Sequence, residues 1–109
     1  MSDFADKLLE PVKLTLRQAG VSIFDDEVKS YIDTCAEDLQ DAGILSSYFT
    51  PAGESWEPNP RILQAVRWYC LSVFGLYNAD SEKYMKSYLS LKATLATQRK
   101  YTEAVYGVQ

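Results

Sequence analysis

The sequence predicts an all-α protein, a compact bundle of about four helices with a long loop between the second and third. Apolar residues recur at helical spacing in four separate stretches. Helix-ending glycines, Gly20 and Gly43, follow the first two stretches, and Asn59-Pro60 is a helix-starting pair before the third. The 109 residues are 47% hydrophobic and 24% charged, proportions typical of one folded domain that spans the whole chain.

The first helix is the least regular of the four. Its apolar face consists of Phe4, Leu8, Leu9, Val12, Leu16 and Ala19. Pro11 interrupts this pattern, because a helix accepts proline most readily at its first position. Two interpretations follow: the helix runs from Pro11 to Ala19, or a short turn precedes it. Gly20 ends the helix in either case.

The second helix has the clearest pattern. Asp25 is a favourable N-cap, and Asp26 and Glu27 place negative charge in the first turn, where the helix dipole favours it. Its apolar arc consists of Val28, Tyr31, Ile32, Cys35, Ala36, Leu39 and Ala42. Its opposite arc consists of Asp26, Glu27, Asp33, Glu37, Asp38 and Asp41. A charged outer face is ordinarily solvated, but charges of nearly one sign are unusual.

Residues 44–59 read as a loop because of their Pro, Gly and Ser content. A loop of this length is often functional in a small domain. It holds Tyr48, Phe49 and Trp56, which a merely solvated loop has no reason to carry. These aromatic side chains either fold back onto the core or contact a partner.

The third helix begins at the Asn59 cap and is predicted to continue to Tyr77. Its polar residues after the first turn are few: Gln64, Arg67 and Ser72. A helix that is apolar nearly all round must be buried nearly all round. Because a small bundle cannot surround it completely, a neighbouring subunit is expected to cover part of it. It is too short for a membrane span of about 20 apolar residues, and no membrane association is expected.

The fourth helix is predicted from Asp80 or Ser81 to Gln98. One stripe consists of Tyr84, Tyr88, Leu91 and Leu95. A second stripe consists of Met85, Leu89 and Ala96, with Lys92 between the two. One stripe can face the core while the other contacts another subunit. The tail after it, residues 101–109, is β-prone and is expected to be extended or flexible in the free chain.

Charge divides the chain into unlike halves. Residues 1–60 hold twelve acids and four bases, a balance of −8, whereas residues 61–109 hold three acids and seven bases, a balance of +4. Such asymmetry lets one half of a subunit attract the other half of its neighbour, as head-to-tail assembly requires. The alternative is that the two halves pair within one chain.

The sequence offers no residues for catalysis, a cofactor or a metal. It lacks histidine and any CxxC motif, so neither a histidine general base nor a zinc site is expected. Cys35 and Cys70 each lie in an apolar helical pattern and are interpreted as buried small hydrophobes. The first residues have no basic region followed by an apolar one, so no signal peptide is predicted and synthesis in a reducing cytoplasm is expected.

The order of three segments resembles a known family. An acid-capped helix ending AEDLQDAGI leads into the long loop, then NPRILQAVRWYCLSVFGLYN, then DSEKYMKSYLSLKATLATQRKY. This arrangement is similar to the small head-tail connector proteins, also called head completion or adaptor proteins, of long-tailed bacteriophages and prophages. The similarity covers residues 9–101, and it departs from the family in the aromatic loop and the last eight residues.

The resemblance implies a structural virion protein and no enzyme. Members are α-helical and form a ring beneath the portal protein, which extends the DNA channel and docks the next connector or tail protein. Portal rings are twelve-fold, so the resemblance implies about twelve copies. DNA passes through without specific binding. The expected location is the head-tail interface of the virion, after synthesis in the bacterial host cytoplasm.

Three groups of residues are predicted to serve this assembly. The subunit interface is assigned to Met85, Leu89, Lys92 and Ala96. The channel-facing acids are Asp33, Glu37 and Asp41, because a wall that repels phosphate lets DNA slide. Docking of partner proteins is assigned to Tyr48, Phe49 and Trp56 in the loop and to Val105, Tyr106 and Val108 in the tail.

The main alternative is a small helical DNA-binding phage protein, of the small terminase or repressor type. A helix-turn-helix needs a turn of about 3–4 residues and a basic recognition helix. Here a long loop separates the second and third helices, and the second helix is acidic. Retention of duplex DNA at about 0.15 M salt distinguishes the two functions.

Overall fold

The computed structural model describes residues 2–75 and 79–103, and every regular element in these ranges is helical. In chain order the elements are α1 (Asp3–Thr15), α2 (Asp25–Asp41), a 3₁₀ helix (Ser46–Phe49), α3 (Pro60–Val73), α4 (Ser81–Ala96) and the short α5 (Arg99–Thr102). The predicted all-α class, the four main helices and the long connection between the second and third are therefore confirmed. No helix in the described ranges is long and apolar enough to cross a membrane.

Helix α1 differs from both predicted alternatives. It begins at Asp3, where the Ser2 hydroxyl caps the first turn by accepting a hydrogen bond from the Ala5 N–H at 3.1 Å. Pro11 lies inside the helix, at the cost of one main-chain hydrogen bond. The buried face compensates for that loss; it consists of Phe4, Ala5, Leu8, Leu9 and Val12. The helix ends at Thr15, and Arg17, with φ +60°, turns the chain before Gly20 is reached.

Helix α2 begins one residue earlier than the predicted cap implies. Phe24 occupies the N-cap position, whereas the predicted cap, Asp25, is the first helical residue and pairs with Lys13 at 2.9 Å. The predicted end at Gly43 is confirmed. Gly43 has φ +107°, and the Ile44 N–H donates back to the Leu39 carbonyl at 3.1 Å, the bond of a Schellman motif.

Helix α3 has the predicted cap and an earlier end. The Asn59 Oδ1 accepts hydrogen bonds from the N–H groups of Arg61, at 2.9 Å, and Ile62, at 3.3 Å. The helix ends at Val73, before the predicted Tyr77, because Gly75 turns the chain with φ +89°. Residue 77 itself lies outside the described residues. Within the single chain, full burial in α3 is confined to Ile62, Ala65, Val66 and Cys70, so the bundle does not surround this helix completely.

The four main helices share one hydrophobic core. Helices α1 and α2 run antiparallel, since Lys29 pairs with Asp6 at 3.0 Å while Lys13 pairs with Asp25 at the other end. Helix α3 packs on both of them, and α4 packs mainly on α3. Helix α4 contributes two fully buried side chains, Tyr88 and Leu95, as its first predicted stripe requires.

Helix α5 closes the end of the bundle where α2 finishes. Tyr101, predicted to open the extended tail, instead lies in α5 with 1% of its surface exposed. Its carbonyl accepts a hydrogen bond from the Leu45 N–H at 2.8 Å, and its hydroxyl donates to Asn59 Oδ1 at 3.3 Å. Residues 104–109, the rest of the predicted tail, lie outside the described residues.

Candidate functional site

The predicted interface stripe of α4 is divided by the fold. Met85 is half-buried against the core, and Ala96 is half-buried as well. Lys92 turns toward α2 and pairs with Asp38. Leu89 keeps 46% of its surface exposed. Of the four residues assigned to a subunit interface, Leu89 is therefore the apolar side chain most open to a neighbour.

Asp38, Tyr88 and Lys92 form a polar cluster between α2 and α4. The Tyr88 hydroxyl donates to Asp38 Oδ2 at 2.5 Å, and Lys92 Nζ donates to the same oxygen at 2.9 Å. Partial burial raises the pKa of Asp38, but these two hydrogen bonds outweigh it and the pKa lies below its usual value. The cluster fixes α4 on α2, so Lys92 already has a partner within the subunit.

The two thiols are buried and inert. Cys35 and Cys70 are free cysteines, and burial raises the pKa of Cys70 to about 12. Burial also raises the pKa of Cys35. Both thiols stay protonated at neutral pH, and among the described residues no cluster of three His, Cys, Asp or Glu side chains forms. The sequence interpretation of both as small hydrophobes agrees with this packing.

The three acids assigned to the channel have different environments. Asp33 is half-buried and accepts hydrogen bonds from the Ser2 hydroxyl and from the Ser2 N–H, the latter at 3.3 Å. Glu37 and Asp41 are exposed and have no ion-pair partner among the described residues. Asp33 thus anchors the start of α1, whereas Glu37 and Asp41 leave their charge on the surface.

The loop aromatics fold back onto the core of their own chain. Phe49 is 8% exposed and meets the Phe4 ring edge-on, with ring centroids 5.1 Å apart. Trp56 is half-buried, 6.3 Å from the same ring. Tyr48 packs on Tyr101 and donates its hydroxyl hydrogen to the Lys100 carbonyl at 2.6 Å. The edges of Tyr48 and Trp56 remain at the surface, and the tail residues Val105, Tyr106 and Val108 lie outside the described residues.

One apolar surface was not anticipated from the helical patterns. Where α1 leads into α2, the exposed fractions are 68% for Leu14 in the last turn of α1, 39% for Val21 and 80% for Ile23 in the connecting turn, and 39% for Phe24 at the N-cap of α2. We call these four residues the turn patch. For three of them the sequence signal was the set of apolar residues between Gly20 and Asp25, which belongs to neither helical face.

Ion pairs leave most of the charge asymmetry in place. Between described residues, Lys13–Asp25 and Lys29–Asp6 join groups of the acidic half, and Arg99–Glu103 joins groups of the basic half. Lys92–Asp38 joins the two halves. Pairing within one chain therefore accounts for little of the opposite charge of the halves.

Comparison with known proteins gives one family. A family described as phage connector protein matches residues 8–102, most of the chain. No curated protein and no solved structure matches the chain. The family is structural and not enzymatic, and its members work among other virion proteins at the head-tail junction. The chain therefore belongs to the phage connector protein family, and its role is that of a structural connector.

Proposed function

We propose that this protein forms a closed ring of about twelve copies below the portal, where it extends the DNA channel and docks the next connector or tail protein. The observation that carries the proposal is the family match over residues 8–102. The surface of the subunit supports it in three ways, through apolar residues for assembly, acids for the channel and aromatic edges for docking.

Assembly of copies is supported by apolar side chains that the subunit does not cover. Leu89 is exposed on α4, and α3 has half-buried residues that pack against the core while part of their surface stays accessible. Leu63, Trp68 and Leu71 belong to this second group. Burial of apolar surface stabilises association by about 25 cal/mol per Å², so coverage of these residues by a neighbour favours a ring.

The lining of the channel is supported by α2. Glu37 and Asp41 carry negative charge on its exposed face, without an ion pair to any residue that the structure describes. A negative wall repels the phosphates of passing DNA, whereas a basic wall binds them through counterion release. Asp33 lies on the same face, but its bonds to Ser2 give it a structural role as well.

Docking of the portal and of the tail-side protein is assigned to the loop and the tail. The surface edges of Tyr48 and Trp56 offer apolar contact with a polar rim, which is common at interfaces. Phe49 is too buried to contact a partner without unfolding the loop, so its contribution is to hold the loop in place. Val105, Tyr106 and Val108 complete the proposed docking segment.

Electron microscopy of the purified protein, alone and mixed with its purified portal protein, tests this function. We expect closed rings that attach to the portal protein. We also expect that the protein does not retain duplex DNA at about 0.15 M salt. A protein that shows neither rings nor portal binding contradicts the proposal. Tight retention of duplex DNA by such a protein favours the DNA-binding alternative.

A further inference from the structure

Large exposed apolar side chains occur at two places in the described part of the chain. One is the turn patch, where Ile23 reaches 80% exposure, and the other is α4 at Leu89. Scattered apolar residues are ordinary on a protein surface, but three in one short turn, with Leu14 in the last turn of α1 before it, form a patch that is typical of a binding site. The two places lie on different elements, the α1–α2 turn and the fourth helix.

The turn patch is held in shape before any partner binds. The Lys13–Asp25 pair, at 2.9 Å, joins the helix ends on either side of it. Within the turn, the Gln18 N–H donates to the Lys13 carbonyl at 2.8 Å. The Phe24 ring packs edge-on against Phe74, the C-cap residue that follows α3, with ring centroids 5.6 Å apart. A surface that is already ordered loses little conformational entropy on association.

The charged residues beside the turn patch limit which surface can bind to it. Asp26 and Glu27, both exposed, follow Phe24 in the first turn of α2. Pairing of the patch with itself brings these acids together, which is unfavourable. On α4, exposed Lys86 lies one turn before Leu89, and exposed Ala93 lies one turn after it. We call Lys86, Leu89 and Ala93 the α4 face, an apolar strip with a basic end.

We propose that the turn patch of one copy packs against the α4 face of the next copy. The inference rests on the proposed ring and names the two surfaces that build it. A head-to-tail ring needs two different complementary surfaces on each subunit. The turn patch lies in the half of the chain with a balance of −8 and the α4 face in the half with +4, so the contact also brings opposite charges together.

Two variants that each damage one surface test the pairing. Ile23→Asp changes the patch and Leu89→Asp changes the α4 face, both at exposed positions where the fold tolerates a polar residue. Ala52→Asp, at an exposed loop position, is the control with the same added charge. Melting curves verify that all three variants are folded, and native mass spectrometry measures the number of copies in each species.

Each damaged variant alone should require at least about tenfold more protein to assemble than the wild type, while the control assembles normally. Mixed together, the two variants should give a one-to-one dimer, because one undamaged patch still meets one undamaged α4 face. Such a dimer cannot grow, since its remaining surfaces are both damaged. This product is specific to a head-to-tail contact between these two surfaces.

The remaining outcomes overturn the inference in distinguishable ways. If the wild type forms rings and either folded variant forms them at the same protein concentration, the pairing is wrong while the proposed function stands. The same holds if both variants are monomers and their mixture stays monomeric. If the wild type itself stays monomeric throughout the concentration series, the proposed ring fails and the pairing fails with it.

Discussion

Tyr88 on α4 donates its hydroxyl hydrogen to Asp38 on α2 across 2.5 Å, although the two residues are 50 positions apart in sequence. Tyr88 is 1% exposed, so its hydroxyl has no access to bulk water as a substitute. A buried polar group that keeps its partner stabilises the fold, and one that loses it is costly. This bond therefore fixes α4 on the α1–α2 pair, and with it the position of Leu89.

Tyr88→Phe should reduce the free energy of unfolding by about 1–2 kcal/mol, because Asp38 keeps Lys92 as a partner but loses its shorter bond. Urea unfolding followed by circular dichroism measures this change. Tyr84→Phe is the matched control on the same helix, since the Tyr84 hydroxyl has no hydrogen-bond partner among the described residues. Equal effects of the two substitutions would show that the bond to Asp38 contributes nothing.

The same cluster makes the free energy of unfolding depend on pH in the acidic range. The pKa of Asp38 in the folded chain is below the ordinary value of 3.8, so near that pH the unfolded chain binds more protons than the folded one. The stability contributed by the carboxylate is present above pH 3.8 and is lost as the pH falls through the lower folded pKa. Asp38→Asn should therefore lose less stability than the wild type between about pH 6 and pH 3.

Asp41→Asn provides the control for this comparison. Asp41 is exposed and lies on the same helix, without an ion pair among the described residues. Its substitution should leave the pH dependence of unfolding close to that of the wild type. An Asp38→Asn protein that responds to acid as the wild type does would contradict the assigned role of the cluster.

Reversing the charge of the acids proposed to line the channel should slow the passage of DNA. The double substitution Glu37→Lys and Asp41→Lys should leave ring formation intact and slow DNA ejection from assembled particles, because it adds phosphate attraction to the proposed wall. Asp33 is left unchanged because it holds Ser2 at the start of α1. Asp3→Lys with Glu10→Lys, at exposed positions of α1, is the control with the same change in charge. Loss of the ring in the first protein would instead place these acids in contacts between subunits.

The docking assignment predicts separate effects of the tail and the loop. Deletion of residues 104–109 should leave the melting temperature nearly unchanged while abolishing attachment to the portal or the next connector protein. The reason is that the core packing of this end is completed by Tyr101. Phe49→Ala should instead lower stability by about 3 kcal/mol, because it opens a cavity against Phe4. Attachment that survives the deletion would remove the tail from the docking site.

Local chemistry made much of the fold predictable. Asn59 before Pro60, and Gly43 after an apolar arc, have a single favourable place in a helix, and both occupy it. Where the predicted helix bounds were wrong, tertiary packing outweighed the local preference of the residues. The apolar face of α1 outweighs the cost of Pro11, and Asp25 contributes more by pairing with the buried Lys13 than by capping. Tyr101 joins the core through contacts with Leu45 and Asn59 that are distant in sequence.

The surfaces proposed for assembly were less predictable, because exposure depends on how the helices pack. Periodicity placed Leu89 on the second stripe of α4 and Lys92 between the two stripes, but it could not show that Lys92 is paired with Asp38 within the chain. The turn patch has no period at all, so its exposed apolar residues emerge only when the turn is folded. Neither surface carries a motif whose chemistry identifies its partner.

Native mass spectrometry of the wild-type protein across a concentration series tests the central claim, that this connector assembles into a closed ring. We expect one dominant closed species of about twelve copies, whose population rises with protein concentration while its copy number stays fixed. Leu89→Glu should stay monomeric at the same concentrations while retaining its helical circular dichroism. A wild-type protein that is monomeric throughout, or that adds copies without a limit, would contradict the claim.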